Sequence, residues 1–124
     1  MSEHDEQVTF FDFVDRKQLR DKYVIAAVPN QRKTNAITGR RFKREGVLAG
    51  YPDVLVDVPA RGFAGLRIEF KFGRNKLSED QIRVSKLLSG NHYRFIAVWS
   101  ASEAIAELCW YLNLPEQSQF KRKS

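Results

Sequence analysis

Apolar positions recur along this chain with two periods, and the switch between them outlines its elements. Between residues 3 and 20, Gln7, Phe10, Phe11 and Val14 fall at helical spacing and predict an amphipathic helix. Glu3 extends the line 3, 7, 10, 14 along one face, which turns it toward the protein body. The β-rich run "YVIAAV" (23–28) predicts a strand closed by Pro29-Asn30, and residues 33–45 predict a loop and then a helix stopped by Gly46. "GVLAGYPD" imposes a turn, since the residue before a proline is pushed out of the helical region.

From Asp53 the period becomes two. Val54, Val56 and Val58 face one way, and Asp53, Leu55 and Asp57 the other. In the next run Leu66, Ile68, Phe70 and Phe72 share one face, and Arg67, Glu69 and Lys71 the opposite one, with "PARGFAG" as a hairpin between the runs. Ser78 with Gln81 forms a capping-box pattern that opens a helix with Val84, Leu87 and Leu88 as its buried stripe and Gly90 as its end. "YRFIAVW" (93–99) predicts a strand, and Ser100 with Glu103 repeats the capping box before a helix whose stripe is Ala101, Ile105, Leu108 and Leu112. The predicted order is helix, strand, helix, strand, strand, helix, strand, helix: a mixed β-sheet flanked by helices, of the α/β class.

Two neighbouring strands thus each carry one apolar face and one mostly polar face, and the polar faces can coincide. Glu69 and Lys71, two apart, leave the same side of their strand, while Asp53 stands at the mouth of the adjoining one, where the Gly-x-Pro turn can aim it at Glu69. An Asp and a Glu brought within a few ångströms repel unless a cation lies between them, and oxygen ligands suit Mg²⁺ or Mn²⁺. The main-chain carbonyl of Phe70 can add a further ligand, and Lys71 can orient water or neutralise developing charge. The competing account is an ion pair between Glu69 and Lys71 on a solvated face. Asp57 lies roughly 13 Å along an extended strand from Asp53 and is read as structural.

Composition limits what else the chain can be. At 124 residues it fits one domain, and 43% hydrophobic residues mark it as globular. Its longest apolar run, near Phe95–Trp99, is far shorter than the roughly 20 residues of a membrane-spanning helix. "MSEHDEQ" lacks the basic-then-apolar order of a signal peptide, so an intracellular protein is expected. The single Cys109 excludes an internal disulfide, and His4 and His92 alone cannot build a zinc site. Cys109, Trp110 and Tyr111 read as packing residues of the last helix.

A net charge of +6 and a pI near 9.7 favour an anionic partner. The distribution says more. Between Asp21 and Glu45 come Lys22, Arg32, Lys33, Arg40, Arg41, Lys43 and Arg44 with no carboxylate among them, a cationic segment where solvated faces usually mix signs.

These residues resemble a family. "GVLAGYPDVLV" followed by "GLRIEFKFGRNKLSEDQ" is similar to the VRR-NUC branch of the PD-(D/E)XK nucleases, with its Gly-x-Pro-Asp, its Glu-x-Lys and a glutamine in the helix after a Leu-Ser pair. "VPNQRKTN" and "SEHDEQ" extend the likeness, which runs over nearly the whole chain to about Leu112. The resemblance implies a restriction-endonuclease-like fold with Asp53 and Glu69 as metal ligands, Lys71 as the catalytic lysine and Gln81 as an active-site residue reaching the metal or phosphate. It also implies an acidic residue in the first helix, a place that Glu3 fits best and for which Glu6 competes. Gln31 stands where the family commonly has glycine, while Arg32, Lys33 and Asn35 still offer donors for phosphate.

The combined expectation is a single nuclease domain over residues 1–114 followed by a flexible basic tail, 115–124. It would be an Mg²⁺- or Mn²⁺-dependent endodeoxyribonuclease acting on branched DNA in repair, recombination or phage replication, as a Holliday-junction resolvase does. Asn35 and the basic residues Arg32, Lys33, Arg40, Arg41, Lys43 and Arg44 would grip the backbone. A homodimer would present two sites to a junction, in the cytoplasm of a bacterium or a phage-infected host. A flap or nicking nuclease, a sequence-specific restriction-type enzyme and a binding module that has lost catalysis are the rival readings.

Overall fold

The structure, a computed structural model, describes residues 2–29 and 36–115. Its elements are α1 (Glu3–Arg16), β1 (Ile25–Ala27), α2 (Ala36–Arg44), β2 (Val54–Val56), β3 (Gly65–Phe70), α3 (Glu79–Gly90), β4 (Tyr93–Val98) and α4 (Ala101–Leu112), with one 3₁₀ turn at Leu19–Asp21. The order is the one the hydrophobic pattern predicts. The expected basic tail, 115–124, lies outside the described residues apart from Pro115.

The strands form one mixed sheet in the order β1-β2-β3-β4, with β1–β2 and β2–β3 antiparallel and β3–β4 parallel through the crossover helix α3. The β2–β3 connection is tighter than the sequence indicates: Ala60 and Phe63 exchange both backbone hydrogen bonds around Arg61-Gly62. Both central residues have positive φ (56° and 82°), the two-residue turn that matches strand twist and tolerates glycine best. Arg61 then donates to the Trp110 carbonyl through Nε (3.1 Å) and an Nη (2.8 Å), tying the hairpin to the end of α4.

One face of the sheet holds the core. Val54, Val56, Leu66, Ile68 and Phe70 meet Phe10, Phe13 and Val14 of α1 and Ala101, Ala104 and Leu108 of α4. The Phe10 ring stands edge-on to Phe70 at 6.0 Å. Each such aliphatic or aromatic side chain removed from water contributes about 1.5–3 kcal/mol. The opposite face is partly covered by α3, whose Val84 is buried.

Three expectations about helix faces need correction. Leu87 is exposed, and Val84 is the residue of α3 that is buried. The buried side of α4 is broader than a stripe and includes Ala106, Glu107 and Cys109, since this helix packs against both the sheet and α1. Buried Glu107 receives Arg94 of β4 at 3.0 Å, so its charge is met inside the fold. The Ser100 cap is only half a capping box: its Oγ accepts from the Glu103 N–H (3.1 Å), without the reciprocal bond. A full box opens α1, between Ser2 and Asp5, with Asp at the third position in place of the usual Glu or Gln.

The Tyr111 hydroxyl donates to the Val58 carbonyl at 2.6 Å. Burial holds its phenol above the ordinary value of 10.0. The unfolded chain ionises at the lower value, so the stability this group supplies is complete below about pH 10 and is lost as pH rises through the folded-state pKa. Tyr111→Phe is expected to cost about 1 kcal/mol near neutrality and to flatten the alkaline loss. Urea titrations at about pH 7 and about pH 11 compare the two proteins, and an equal alkaline fall in both would assign the effect to other groups.

Candidate active site

The β2–β3 register pairs Val54 with Ile68, which puts Asp53 opposite Glu69 one step beyond the ladder. Asp53 is 7% exposed, Glu69 1% and Lys71 8%. These values decide against an ion pair on a solvated face, because charged groups leave water this completely only where partners or a function hold them.

Gln81 links Glu69 to Lys71. Lys71 Nζ donates to its Oε1 at 3.2 Å, and its Nε2 donates to Glu69 Oε2 at 3.0 Å. The same Oε1 accepts the Ser78 N–H at 2.9 Å, while the Gln81 N–H donates to Ser78 Oγ at 3.1 Å. The sequence left two roles open for Gln81, helix cap and site residue, and it makes the contacts of both. Only an amide can do so: its oxygen faces two donors and its nitrogen faces a carboxylate.

Asp53 is fixed from both sides. Its Oδ2 accepts the Phe70 N–H at 2.8 Å, and its carbonyl accepts the Val28 N–H at 2.8 Å. In extended backbone a residue's N–H and C=O point to the same neighbouring strand, so the Phe70 carbonyl is also directed toward β2. The donors available are therefore two carboxylates and one carbonyl, all hard oxygens. That set suits Mg²⁺ or Mn²⁺, which are commonly held by one or two carboxylates and complete their shell with water.

Among the described residues, no group of three or more His, Cys, Asp or Glu is gathered as a metal-holding cluster, so Glu3 does not join Asp53 and Glu69 in one. Glu3 does point inward: its Oε1 is fully shielded at the first turn of α1. Glu6, its competitor, is half-buried two residues before the exposed Val8.

Asp53, Glu69 and Gln81 line a cleft of about 620 Å³ between the 46–51 segment and the start of α3, with Leu48, Tyr51, Ser78 and Asp80 in its walls. Gly50 sets the spacing of these walls. It has φ +87°, and a Cβ there would fall 2.5 Å from the Asp80 carbonyl carbon. The Gly-Tyr-Pro-Asp turn thus lies directly against α3.

A second group, not singled out by sequence, braces that turn. Buried Arg67 donates through Nε to the Tyr51 hydroxyl (2.8 Å), meets Asp57 at 3.1 Å and stacks over Tyr93 at 4.6 Å. Its position opposite Leu55 was readable in the alternation, but its reach to Tyr51 depends on how the turn folds back. Asp57 belongs to this brace, and not to the trio.

Of the cationic segment, Arg32, Lys33 and Asn35 lie outside the described residues. Arg40, Arg41, Lys43 and Arg44 are exposed on α2, where Arg41 pairs with Glu45 at 3.0 Å. None of the described side chains of α2 is buried, which leaves these cations outside the core. No helix among the described residues is long and apolar enough to cross a membrane.

The sequence matches no protein-family model and no curated protein. The fold does find a counterpart among solved structures. One described as a "VRR_NUC domain protein" superposes with a TM-score of 0.78 at 25% identity, over 94% of this chain and 92% of that one. The chain has the VRR-NUC domain fold.

The close approach at Gly50 predicts an unequal pair of substitutions. Gly50→Ala is expected to cost about 2–4 kcal/mol, from overpacking against Asp80 in addition to backbone strain. Gly46→Ala, at φ +92° with nothing within 4 Å, carries the strain alone. That substitution should cost about 1 kcal/mol. Equal losses in chemical denaturation would show that the contact with Asp80 does not constrain the turn.

Proposed function

Proceeding from a VRR-NUC fold, we propose that this protein is a nuclease, and more narrowly a Mg²⁺- or Mn²⁺-dependent endodeoxyribonuclease that hydrolyses phosphodiester bonds. The observation that carries this reading is the burial of Asp53, Glu69 and Lys71 on one sheet face, with Gln81 joining Glu69 to Lys71 and an open cleft lined by Asp53, Glu69 and Gln81. A basic protein whose basic helix leads into the 46–51 wall of that cleft suits a polyanionic substrate.

In this reading Asp53, Glu69 and the Phe70 carbonyl hold the cation. When bound, the ion would supply Lewis acidity toward the phosphate and lower the pKa of water. Lys71 places a positive charge beside the two carboxylates, where it can orient the attacking water or offset charge developing on a phosphate oxygen. Gln81 keeps the ammonium and the Glu69 carboxylate apart at a fixed spacing, because each is bonded to a different end of one amide. Glu3 is the acidic contribution of the first helix. Arg40, Arg41, Lys43 and Arg44, with Arg32, Lys33 and Asn35, neutralise backbone phosphates without reading bases.

The substrate we favour is branched DNA, with four-way junctions first, acted on in the cytoplasm of a bacterium or a phage-infected host. A junction presents two symmetric strands, so a C₂ dimer of this small domain would match it with two sites. Binding should then fall steeply with salt and depend on DNA shape.

Labelled four-way junction, flap, nicked, single-stranded and linear duplex DNA, incubated with Mg²⁺ or Mn²⁺, test the proposal. Asp53→Asn and Glu69→Gln should each lower cleavage by about 10²-fold or more, and Lys71→Met by a similar factor. Symmetric cuts confined to the junction support a resolvase, whereas cuts on flaps or nicks support the flap or nicking alternative. Variants that cut as well as wild type would remove Asp53 and Glu69 from the chemistry, and absence of cleavage on every DNA form would favour a binding module.

A further inference from the structure

Much of the cleft that Asp53, Glu69 and Gln81 line is apolar. Val28, Pro29, Val47, Leu48 and Ala49 line it as well, with Tyr51 as an aromatic member. Hydrolysis of a phosphodiester needs hard oxygens and positive charge at the phosphate, and that chemistry makes no use of such a wall. Val47 is 39% exposed and Leu48 46%. Each forgoes part of the roughly 1.5–3 kcal/mol that burying a side chain of this size supplies. Single exposed aliphatics are ordinary on a protein surface, but these two are consecutive and share one cavity with two buried carboxylates.

The wall is fixed at several points by the fold itself. α2 ends in a Schellman motif: Gly46 N–H donates to the Lys43 carbonyl at 3.1 Å and Val47 N–H to the Phe42 carbonyl at 2.9 Å, with Gly46 at φ +92°. Val47 and Leu48 are thereby attached to the end of the helix that carries Arg40, Arg41, Lys43 and Arg44. Further along, Gly50 abuts Asp80, and the Tyr51 hydroxyl accepts from Arg67 at 2.8 Å. Asp80, also in the wall, is paired with Arg83 at 3.0 Å. A surface ordered in advance loses less freedom when a ligand binds.

We propose that this cleft is a nucleotide pocket: one unpaired nucleotide of the DNA lays its base and sugar against Val47, Leu48 and Tyr51, and an adjoining phosphate lies beside Asp53 and Glu69. That the ligand is DNA, and that a cation offsets the two carboxylates, rests on the nuclease reading. The volume of about 620 Å³ falls within the roughly 300–1,000 Å³ of pockets that enclose small molecules. A base inside a duplex has both faces covered by its neighbours and cannot enter, whereas one released from the stack has an apolar face to bury. The cations of α2, joined to the wall through Gly46, suit the phosphates on either side of that nucleotide. The pocket therefore selects DNA with an unpaired nucleotide beside the cut, while α2 supplies affinity that is indifferent to pairing.

The test is binding by fluorescence anisotropy, with Ca²⁺ in place of Mg²⁺, to a duplex carrying one unpaired nucleotide and to the same DNA with that nucleotide made abasic. Wild type should bind the first at least about 5-fold more tightly, the lower end of what capture of one base supplies. Val47→Ser and Leu48→Ser should each remove most of that preference and leave the affinity for the abasic DNA unchanged. Arg44→Ala should weaken both DNAs alike and lower the salt dependence. Equal affinity of wild type for the two DNAs, or an equal loss on both in the serine variants, would overturn the proposal. A serine variant that changes the oligomeric state of the free protein in sedimentation would assign the wall to contact between copies and overturn it too. A wild type that shows the preference yet cuts no DNA would sink the nuclease reading and still support the pocket; cleavage without the preference would do the reverse.

Discussion

The fold is organised around a carboxylate almost wholly withdrawn from water at the back of a cleft. Glu69 sits in the middle of the sheet, on a strand buried on both faces, and an ion so placed costs several kcal/mol unless its surroundings compensate. Compensation comes from Gln81, which requires α3 to begin at one place and in one orientation. The capping box at Ser78 supplies the start of the helix, and the approach of Gly50 to Asp80 supplies its distance from the Gly-Tyr-Pro-Asp turn. Helix capping, turn geometry and the chemistry of the cleft are thus parts of one arrangement.

Rigidity behind that arrangement comes from both sides of the sheet. On one, the core joins α1 and α4 to β2 and β3, with Phe10 against Phe70, the residue whose N–H holds Asp53. On the other, Arg67 spans Tyr51, Asp57 and Tyr93, so a buried guanidinium ties the turn to three separate strands or their ends. A side chain such as Asp53 is only as well placed as the backbone that bears it, and here that backbone is fastened before and after the aspartate.

Much of this could be read from sequence, because two-residue alternation separates Glu69 and Lys71 from Leu66, Ile68 and Phe70 whatever covers the strand. The element order, the capping box at Ser78 and the hairpin after β2 follow from equally local signals. What alternation cannot reveal is what lies over each face. Leu87 falls on the predicted stripe of α3 and is exposed, while Glu107 falls off the predicted stripe of α4 and is buried against Arg94. Both depend on where helices dock. The bracing role of Arg67 is hidden for a related reason: its partners come from residues 51, 57 and 93, and no sequence window holds them together.

Gln81 also limits how this sequence can vary. Helix caps accept Glu and Gln almost interchangeably at the third position, since either side chain can reach back to the cap N–H. Here the amide nitrogen is bonded to Glu69, and a glutamate at 81 would set a third carboxylate beside two others while keeping the cap intact. Asparagine would keep the amide but shorten its reach by a methylene. A position that looks permissive from the helix alone is therefore closed on both counts, and drift at residue 81 must be accompanied by change at Glu69 or Lys71.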